Sequence, residues 1–500
     1  MSRNIALPSG FPDPAGLSGS YIAGKWQVAA DPQIIEVHNP ADAAERVGRV
    51  AFADVRLAEA AVEAARAAWP QWRAVPLQDR KHRLAALLRR IEAEKESFAR
   101  LITLENGKTL REAAAEVDAS LAEARFQMDF VAEHLVKKQG GYETRHEPLG
   151  VVLLITPWNF PLATVLRKMI PALAAGNTVV LKPSELTPLT AVALFHLMDA
   201  SGLPPGVANL VLGEGPVVGK ALVQHLDVRA ISFTGSTVTG LQLARLLDAR
   251  GVRFQAEMGG ANTLVVLADA DLEATADAAV SAGFACCGQW CTGTGRVIVE
   301  QEKYAEFLPK LLTRLKKMVI GDGRDARVNM GPLISAQQRN KIEQAVQRAL
   351  AEGARLLCGG RRPADPALQK GYFYEPTLLA DVTAEMEAAQ EEIFGPVLVA
   401  MPARDPDEAL ALANGTRYGL AFSVYTRDAE KAGKFLREVE AGLCHVNLPT
   451  GFRDPALPLL GWKDSGRGWP EAGKYGLEFF TRTKAVYGEP ATCSKPERSQ

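Results

Sequence analysis

Five hundred residues, 47% apolar and 23% charged, exceed what one ordinary core organises and fit a globular protein of two or three domains. The 57 basic and 58 acidic side chains nearly cancel, for a formal charge of -1, which leaves no electrostatic footprint for nucleic acid or an anionic membrane. Six cysteines in such a chain are no disulfide scaffold, so a reducing, cytoplasmic setting is expected.

The start, "MSRNIALPSGFPDPAG", lacks the basic and apolar regions of a signal peptide. Tyr21–Trp26 reads as a short strand and turn, and Asp54–Trp72, Leu77–Thr103 and Leu110–Leu135 as amphipathic helices. Gly140–Glu147 ("GGYETRHE") reads as a short polar strand. The uncharged run Pro148–Leu166 is long enough to raise the question of a membrane span. Pro157, Asn159 and Pro161 interrupt it, so a buried strand that breaks into a loop fits better. Apolar runs then alternate with helical patterns: Val151–Ile155, the helix Ala163–Ala175, Thr178–Leu181, the helix Thr190–Ser201, Ala208–Leu212, the helix Pro216–His225, and Ala230–Phe233. Strands buried on both faces between helices predict a parallel α/β sheet. A second alternating stretch runs from Thr263 to about Tyr475, and Phe479–Tyr487 ("FFTRTKAVY") is a late strand without an obvious partner in sequence. The two α/β halves meet near Gly259–Gly260, and clefts between domains are where sites tend to form.

Close to that junction, "SAGFACCGQWCTGTGR" (Ser281–Arg296) holds three of the six cysteines. Metal ligands, a disulfide, or a nucleophile with two bystanders are the competing readings. Cys286, Cys287 and Cys291 contain no C-x-x-C pair, and His225, the histidine nearest them in sequence, lies far upstream; no metal is expected. Cys286 and Cys287 continue an apolar helical pattern and are expected to pack as small hydrophobes. Cys291 sits between Gly288-Gln289-Trp290 and Thr292-Gly293-Thr294-Gly295, a turn-rich setting where a thiol stays reachable and can act as a nucleophile.

Three more stretches bear chemistry. "TPWNFP" (Thr156–Pro161) puts Asn159 just beyond a buried strand, where the ligand-facing loops of α/β sheets lie. "ISFTGSTVTG" (Ile231–Gly240) is a strand, a tight Gly235-Ser236 turn and a helix start, which suits a phosphate. "AEMGG" (Ala256–Gly260) ends a strand in a lone carboxylate, Glu257, with two glycines that permit close approach to a ligand. Taken singly, Asn159 serves equally as a loop cap, Ser236 as a helix N-cap and Glu257 as a solvated strand end.

With "GNTVVLKPSELTP" (Gly176–Pro188), "GQWC" (Gly288–Cys291) and "EEIFGPV" (Glu391–Val397), these stretches stand in an order and spacing that resembles the aldehyde dehydrogenase superfamily from about Tyr21 to Tyr487. "GEGPVVG" (Gly213–Gly219), by contrast, matches a G-x-G-x-x-G fingerprint only loosely. The resemblance implies a Rossmann-like NAD-binding domain (1–135 and 149–258), an α/β catalytic domain (259–475) and a small β oligomerisation arm (136–148 and 476–490). Through those arms it implies a homodimer or homotetramer. It implies Cys291 as the thiolate that attacks an aldehyde carbon, with the Asn159 amide and the Cys291 backbone N–H stabilising the oxyanion. Glu257 is then the base that activates water against the thioester. The resemblance puts Lys182 and Glu185 on the adenosine ribose, Trp158 and Ser236 near the pyrophosphate with Gly235 in the same turn, Glu392 on the nicotinamide ribose, and Phe394 beside the nicotinamide. A carboxylate at Glu185 accepts from ribose hydroxyls and repels a 2'-phosphate, which favours NAD; NADP stays open through Lys182 if Glu185 swings away.

One segment departs from the family pattern: "PLLGWKDSG" (Pro458–Gly466) replaces the frequent PFGGxKxSG on the substrate side. "EMGGANTLVVLADADL" (Glu257–Leu272) and "VNLPTG" (Val446–Gly451) look like 2-oxoglutarate-semialdehyde dehydrogenases. "WNFPLATVLRK" (Trp158–Lys168) looks like succinate-semialdehyde dehydrogenases, whose carboxylate-binding arginine falls at Arg167, while a second arginine of theirs is Ala285 here. Both point to a small acidic aldehyde, although Arg167 also reads as an exposed helix charge. The alternatives are a CoA-acylating relative, which usually lacks the base seen at Glu257, a cysteine acyltransferase without nicotinamide, and a non-catalytic binding protein on the same fold.

Overall fold

The computed structural model describes residues 16–139 and 142–487. The first fifteen residues of the chain, Gly140 and Gly141 of the polar strand, and 488–490 of the late arm lie outside them. Apolar side chains cover both faces of Val151–Ile155 (β1), which is why that run is continuous and does not alternate. Thr178–Lys182 (β2), Ala208–Leu210 (β3), Val228–Thr234 (β4) and Arg253–Glu257 (β5) join it in a parallel sheet of order β5-β4-β1-β2-β3. The hairpin Ser20–Ile22/Lys25–Gln27 extends the β3 edge, and Gly466–Gly468 pairs antiparallel with β5, so the chain returns late to its first sheet. Strand order reverses between β1 and β4. Outside the carboxyl ends of two such strands lies the crevice where α/β sheets take ligands.

The second sheet is built alike. Thr263–Val266 (β6), Arg296–Glu300 (β7), Thr377–Ala380 (β8), Val397–Ala403 (β9), Ala421–Tyr425 (β10) and Leu443–Val446 (β11) run parallel in the order β8-β9-β7-β6-β10-β11. Arg355–Cys358 closes the β8 edge antiparallel. Its core is separate from that of the first sheet, which gives two α/β layers meeting where β5 ends and β6 begins.

Capping sets the helices that border this junction. Leu110–His134 (α1) starts at a capping box, with Thr109 and Glu112 satisfying each other's backbone. Ala163–Ala174 (α2) follows β1, Thr237–Asp248 (α3) is capped by Ser236, and Leu272–Phe284 (α4) is capped by Asp271.

Three expectations change. Leu77–Thr103 is two helices, Leu77–Ala93 and Lys95–Asn106, because Glu94 leaves helical geometry (φ -102°, ψ 20°). "AEKES" around it has no large apolar side chain to hold a straight helix against the core, and the break re-aims Phe98, Leu101 and Ile102 inward. Cys286 and Cys287 are not helical, since α4 stops at Phe284 and both adopt left-handed φ, 52° and 57°. Phe479 and Phe480 end a helix, Tyr475–Phe480, and bury themselves in the first core. Only Thr481–Tyr487 is a strand, and it has a partner remote in sequence: it pairs antiparallel with Tyr142–Pro148, which pairs in turn with Val136–Gln139. Among the described residues, no helix is long and apolar enough to cross a membrane.

Candidate active site

A cleft of about 590 Å³ opens at the carboxyl ends of β1, β4 and β5, where the first sheet faces the second. Trp158, Asn159, Ser236, Glu257, Cys291 and Glu392 all line it. Residues far apart in sequence meet here because each follows a strand end or closes a tight turn.

Cys291 lies on the loop between α4 and β7. The left-handed pair Cys286-Cys287 turns the chain sharply so that this loop doubles back. Gln289 pins the turn, its amide donating to the Cys286 carbonyl (3.0 Å) and its oxygen accepting from Ile334 N–H (2.9 Å). From the other side Asn262 donates to the carbonyls of Cys291 (2.6 Å) and Gly293 (2.8 Å) and accepts from Ala421 N–H (2.9 Å). The thiol is thereby held on a rigid loop. Burial pushes it up to about 11; the Arg167 guanidinium pulls the other way, while Glu392 and Glu257 add to the rise.

Asn159 is buried, and its amide donates to the Gln289 carbonyl at 3.1 Å, which ties the β1 loop to the cysteine loop. An amide nitrogen carries two hydrogens, so a second donor remains. Glu257 closes β5 and is 5% exposed; among the described residues its Oε2 is buried without a hydrogen-bond partner. Burial raises its pKa well above the usual carboxylate range, the neighbouring Glu471 raises it further, and Lys168, Arg453 and Arg167 act against this.

Gly259 makes room for Glu392, since a Cβ there would lie 2.2 Å from Glu392 Oε2. Glu392 accepts from Gly260 N–H at 3.1 Å, and burial pushes its carboxyl up to about 7. Phe394 (φ 55°) stands edge-on to Trp158 with ring centroids 5.4 Å apart. Ser236 caps α3, accepting from Thr239 N–H at 3.3 Å, while the Gly235 N–H is already taken by the Glu257 carbonyl at 3.1 Å. Lys182 ends β2 almost fully buried, 3.5 Å from the exposed carboxylate of Glu185.

Several residues of the site carry no signal in the sequence. Lys168 on α2 donates to Ser232 Oγ (2.8 Å) and pairs with Glu471, which the late return of the chain brings back beside Glu257. Arg167 is not an exposed helix charge. Its Nε donates to both oxygens of Glu123 on α1 (2.9 and 3.0 Å), and Nη1 is 3.9 Å from Glu471. Burial alone would lower its pKa, but Glu123 and Glu471 more than offset that and hold it protonated. Arg453, from a loop after β11, stands 3.7 Å from the same Glu123.

Known proteins with this architecture are numerous. The Aldehyde dehydrogenase family model matches residues 26–486. An alpha-ketoglutaric semialdehyde dehydrogenase of Bacillus subtilis (strain 168) is 38% identical over 480 residues, 94% of this chain and 98% of its own. A betaine aldehyde dehydrogenase of the same organism is 39% identical over 480 residues, 93% of this chain and 96% of its own. A crystal structure of betaine aldehyde dehydrogenase from Staphylococcus aureus in complex with NAD+ superposes with a TM-score of 0.91 at 34% identity, covering 97% of each chain. Resemblance sustained over nearly the whole length, in sequence and in fold, means that the chain belongs to the aldehyde dehydrogenase family.

Proposed function

We propose that the protein oxidises a small acidic aldehyde to the carboxylic acid with NAD, through a covalent bond to Cys291. The observation that carries this reading is the meeting of Cys291, Asn159 and Glu257 in one cleft at the switch point of the first sheet. The Cys291 sulfur loses its proton and bonds to the aldehyde carbon, while the second amide hydrogen of Asn159 and the Cys291 backbone N–H hold the oxygen that gains charge; that carbon then gives up its hydride, which would pass to bound NAD, and a thioester remains. Glu257, unpaired at Oε2, takes a proton from the water that then cleaves the thioester. The acid leaves and the thiol is restored. A carboxylate at that place supports water, not CoA, as the acceptor, and added CoA is expected to leave the rate of NADH formation unchanged.

Residues beyond Cys291 fit a dinucleotide. The cleft continues past Glu392, in the space left by Gly259, to Trp158 against Phe394 and on to Gly235 and Ser236 at the start of α3. When bound, the nicotinamide supplies the hydride acceptor. Glu185, exposed beside Lys182, is suited to ribose hydroxyls and repels a phosphate in their place. Glu185→Gln is expected to raise kcat/KM with NADP relative to NAD by up to about 5-fold, the scale of one exposed charge contact. Better use of NADP than NAD by the unmodified enzyme would defeat this electrostatic argument.

Arg167 and Arg453 line the substrate end of the cleft, which supports an aldehyde with a distal carboxylate, as the name of the alpha-ketoglutaric semialdehyde relative also does. The name of the betaine aldehyde relative implies a cationic substrate, which would meet two guanidiniums at that wall. Absorbance at 340 nm with acidic, aromatic and aliphatic aldehydes, each with NAD and NADP, tests the reading; no reduction of either cofactor by any aldehyde removes it.

The three-stranded sheet of Val136–Gln139, Tyr142–Pro148 and Thr481–Tyr487 supports a homodimer or homotetramer. Thr481–Tyr487 is an edge strand of it, with Tyr487 81% exposed, and such edges seldom stay bare. A chain ending at Thr481 keeps the buried Phe479 and Phe480 and is expected to lose its oligomeric mass in light scattering. Unchanged mass would exclude the arm. Six cysteines among 500 residues, too few for a disulfide scaffold, support a reducing compartment such as the cytoplasm.

A further inference from the structure

We infer that Arg453, not Arg167, is the residue that receives the distal anionic group of the substrate. The inference rests on the reading of the cleft as the site of an acidic aldehyde and names the residue that makes it so. Arg167 and Arg453 line the substrate end of the cleft, Lys108 and Lys168 stand behind residues that line it, and three of these four cations are already committed. Lys108 pairs with Glu116 at 2.5 Å and sits 3.5 Å over the Phe160 ring. Lys168 pairs with Glu471. Arg167 gives its Nε to both oxygens of Glu123, with Glu471 beyond.

Arg453 is different. The one carboxylate within 4 Å of it among the described residues is Glu123 at 3.7 Å, too long for a hydrogen bond and already engaged by Arg167, while Glu257 acts on it only from farther off. Its Nη1 is buried and has no hydrogen-bond partner among the described residues. A guanidinium stays protonated even there, and a buried charged donor without an acceptor is costly. Burial and the neighbouring Arg167 both press its pKa down, so an arriving anion relieves desolvation and repulsion together. The carboxylates at the other wall do not compete for it. Glu116 is held by Lys108, and Glu112 accepts from Thr109 N–H and Oγ1 and from Cys286 N–H. A planar carboxylate matches the fork of a guanidinium in two parallel hydrogen bonds. Arg453 and Cys291 line one cleft, so a short aldehyde held by its far end at Arg453 has its carbonyl delivered to the thiol.

The test compares succinic semialdehyde with butanal, equal in chain length, through the ratio of their kcat/KM values with NAD. Arg453→Leu and Arg453→Gln are each expected to lower that ratio roughly 30-fold or more, the scale for losing one partner of a buried charge pair. The loss should fall on KM for the acidic aldehyde, and Arg453→Lys should recover part of it. Succinate, as a competitive inhibitor against butanal, should weaken in the same order. A ratio unchanged in Arg453→Leu and Arg453→Gln, with the wild-type preference intact, overturns the inference and leaves the acidic-substrate reading standing. A ratio that falls only in Arg167→Lys assigns the anchor to Arg167 and overturns it as well. A wild-type enzyme that reduces NAD with both aldehydes and prefers neither removes the acidic-substrate reading itself.

Discussion

Cys291→Ala is expected to cut NADH formation by at least about 10⁴-fold, because the other thiol on the cleft, Cys286, is pushed much further from ionisation by burial. Binding of NAD, followed by quenching of protein fluorescence, should stay within about 3-fold of wild type, since the thiol does not hold the cofactor. The neighbouring thiols are the control. Cys287 is 1% exposed within the second core, and Cys286 is buried where the chain reverses with its N–H on Glu112. Burial drives both thiols far from ionisation, Cys287 with no cation to offset it and Cys286 in spite of Lys108. Cys286→Ala and Cys287→Ala should therefore retain turnover and lose at most about 1–2 kcal/mol of stability from the packing removed. Steady turnover by Cys291→Ala, or loss of it in Cys287→Ala with the fold intact, would move the nucleophile elsewhere.

What the sequence made legible follows from the range of the forces involved. Strands covered on both faces write themselves as unbroken apolar runs, so β1, β2 and β4 were readable directly, and the loops after them carried Asn159 and Ser236 to the expected crevice. Helix starts were readable where a cap stands before them, as at Asp54 and Thr109. The reversal at Cys286-Cys287 was not, because its left-handed backbone is imposed by contacts of Gln289 and Asn262 with distant segments, and the apolar pattern of α4 runs on through it. Nor was the late β partnership, since Thr481 pairs with Pro148 across most of the chain. The charged half of the site was hidden for the same reason. Glu123, Lys168, Arg453 and Glu471 lie on separate elements, and the return of the chain through Gly466–Gly468 brings Glu471 to Thr234 at the end of β4 and beside Glu257. No spacing rule connects such residues.

That hidden charge cluster sets the second large effect. Glu257→Gln should yield one equivalent of NADH per active site in a rapid burst and then a steady rate lower by about 10²–10⁴-fold, as acylation proceeds and thioester hydrolysis loses its base. The amide fits the same space, so thermal stability should not fall; it removes the need to bury a charge at a position that is 5% exposed. The direction of the pH dependence follows from the shift. Burial and Glu471 raise the Glu257 pKa, so the carboxylate holds its proton at pH values where an ordinary glutamate has lost it. A general base works only when deprotonated, so the wild-type steady-state rate should rise with pH through that elevated value and fall away below it. In Glu257→Gln this limb should vanish. Lys168, Arg453 and Arg167 oppose the rise and so favour the active carboxylate. A mass shift on the trapped protein equal to the acyl group, abolished by hydroxylamine, would identify the stalled species as the thioester. Undiminished turnover in Glu257→Gln, or a pH limb that survives the substitution, would assign water activation to another group.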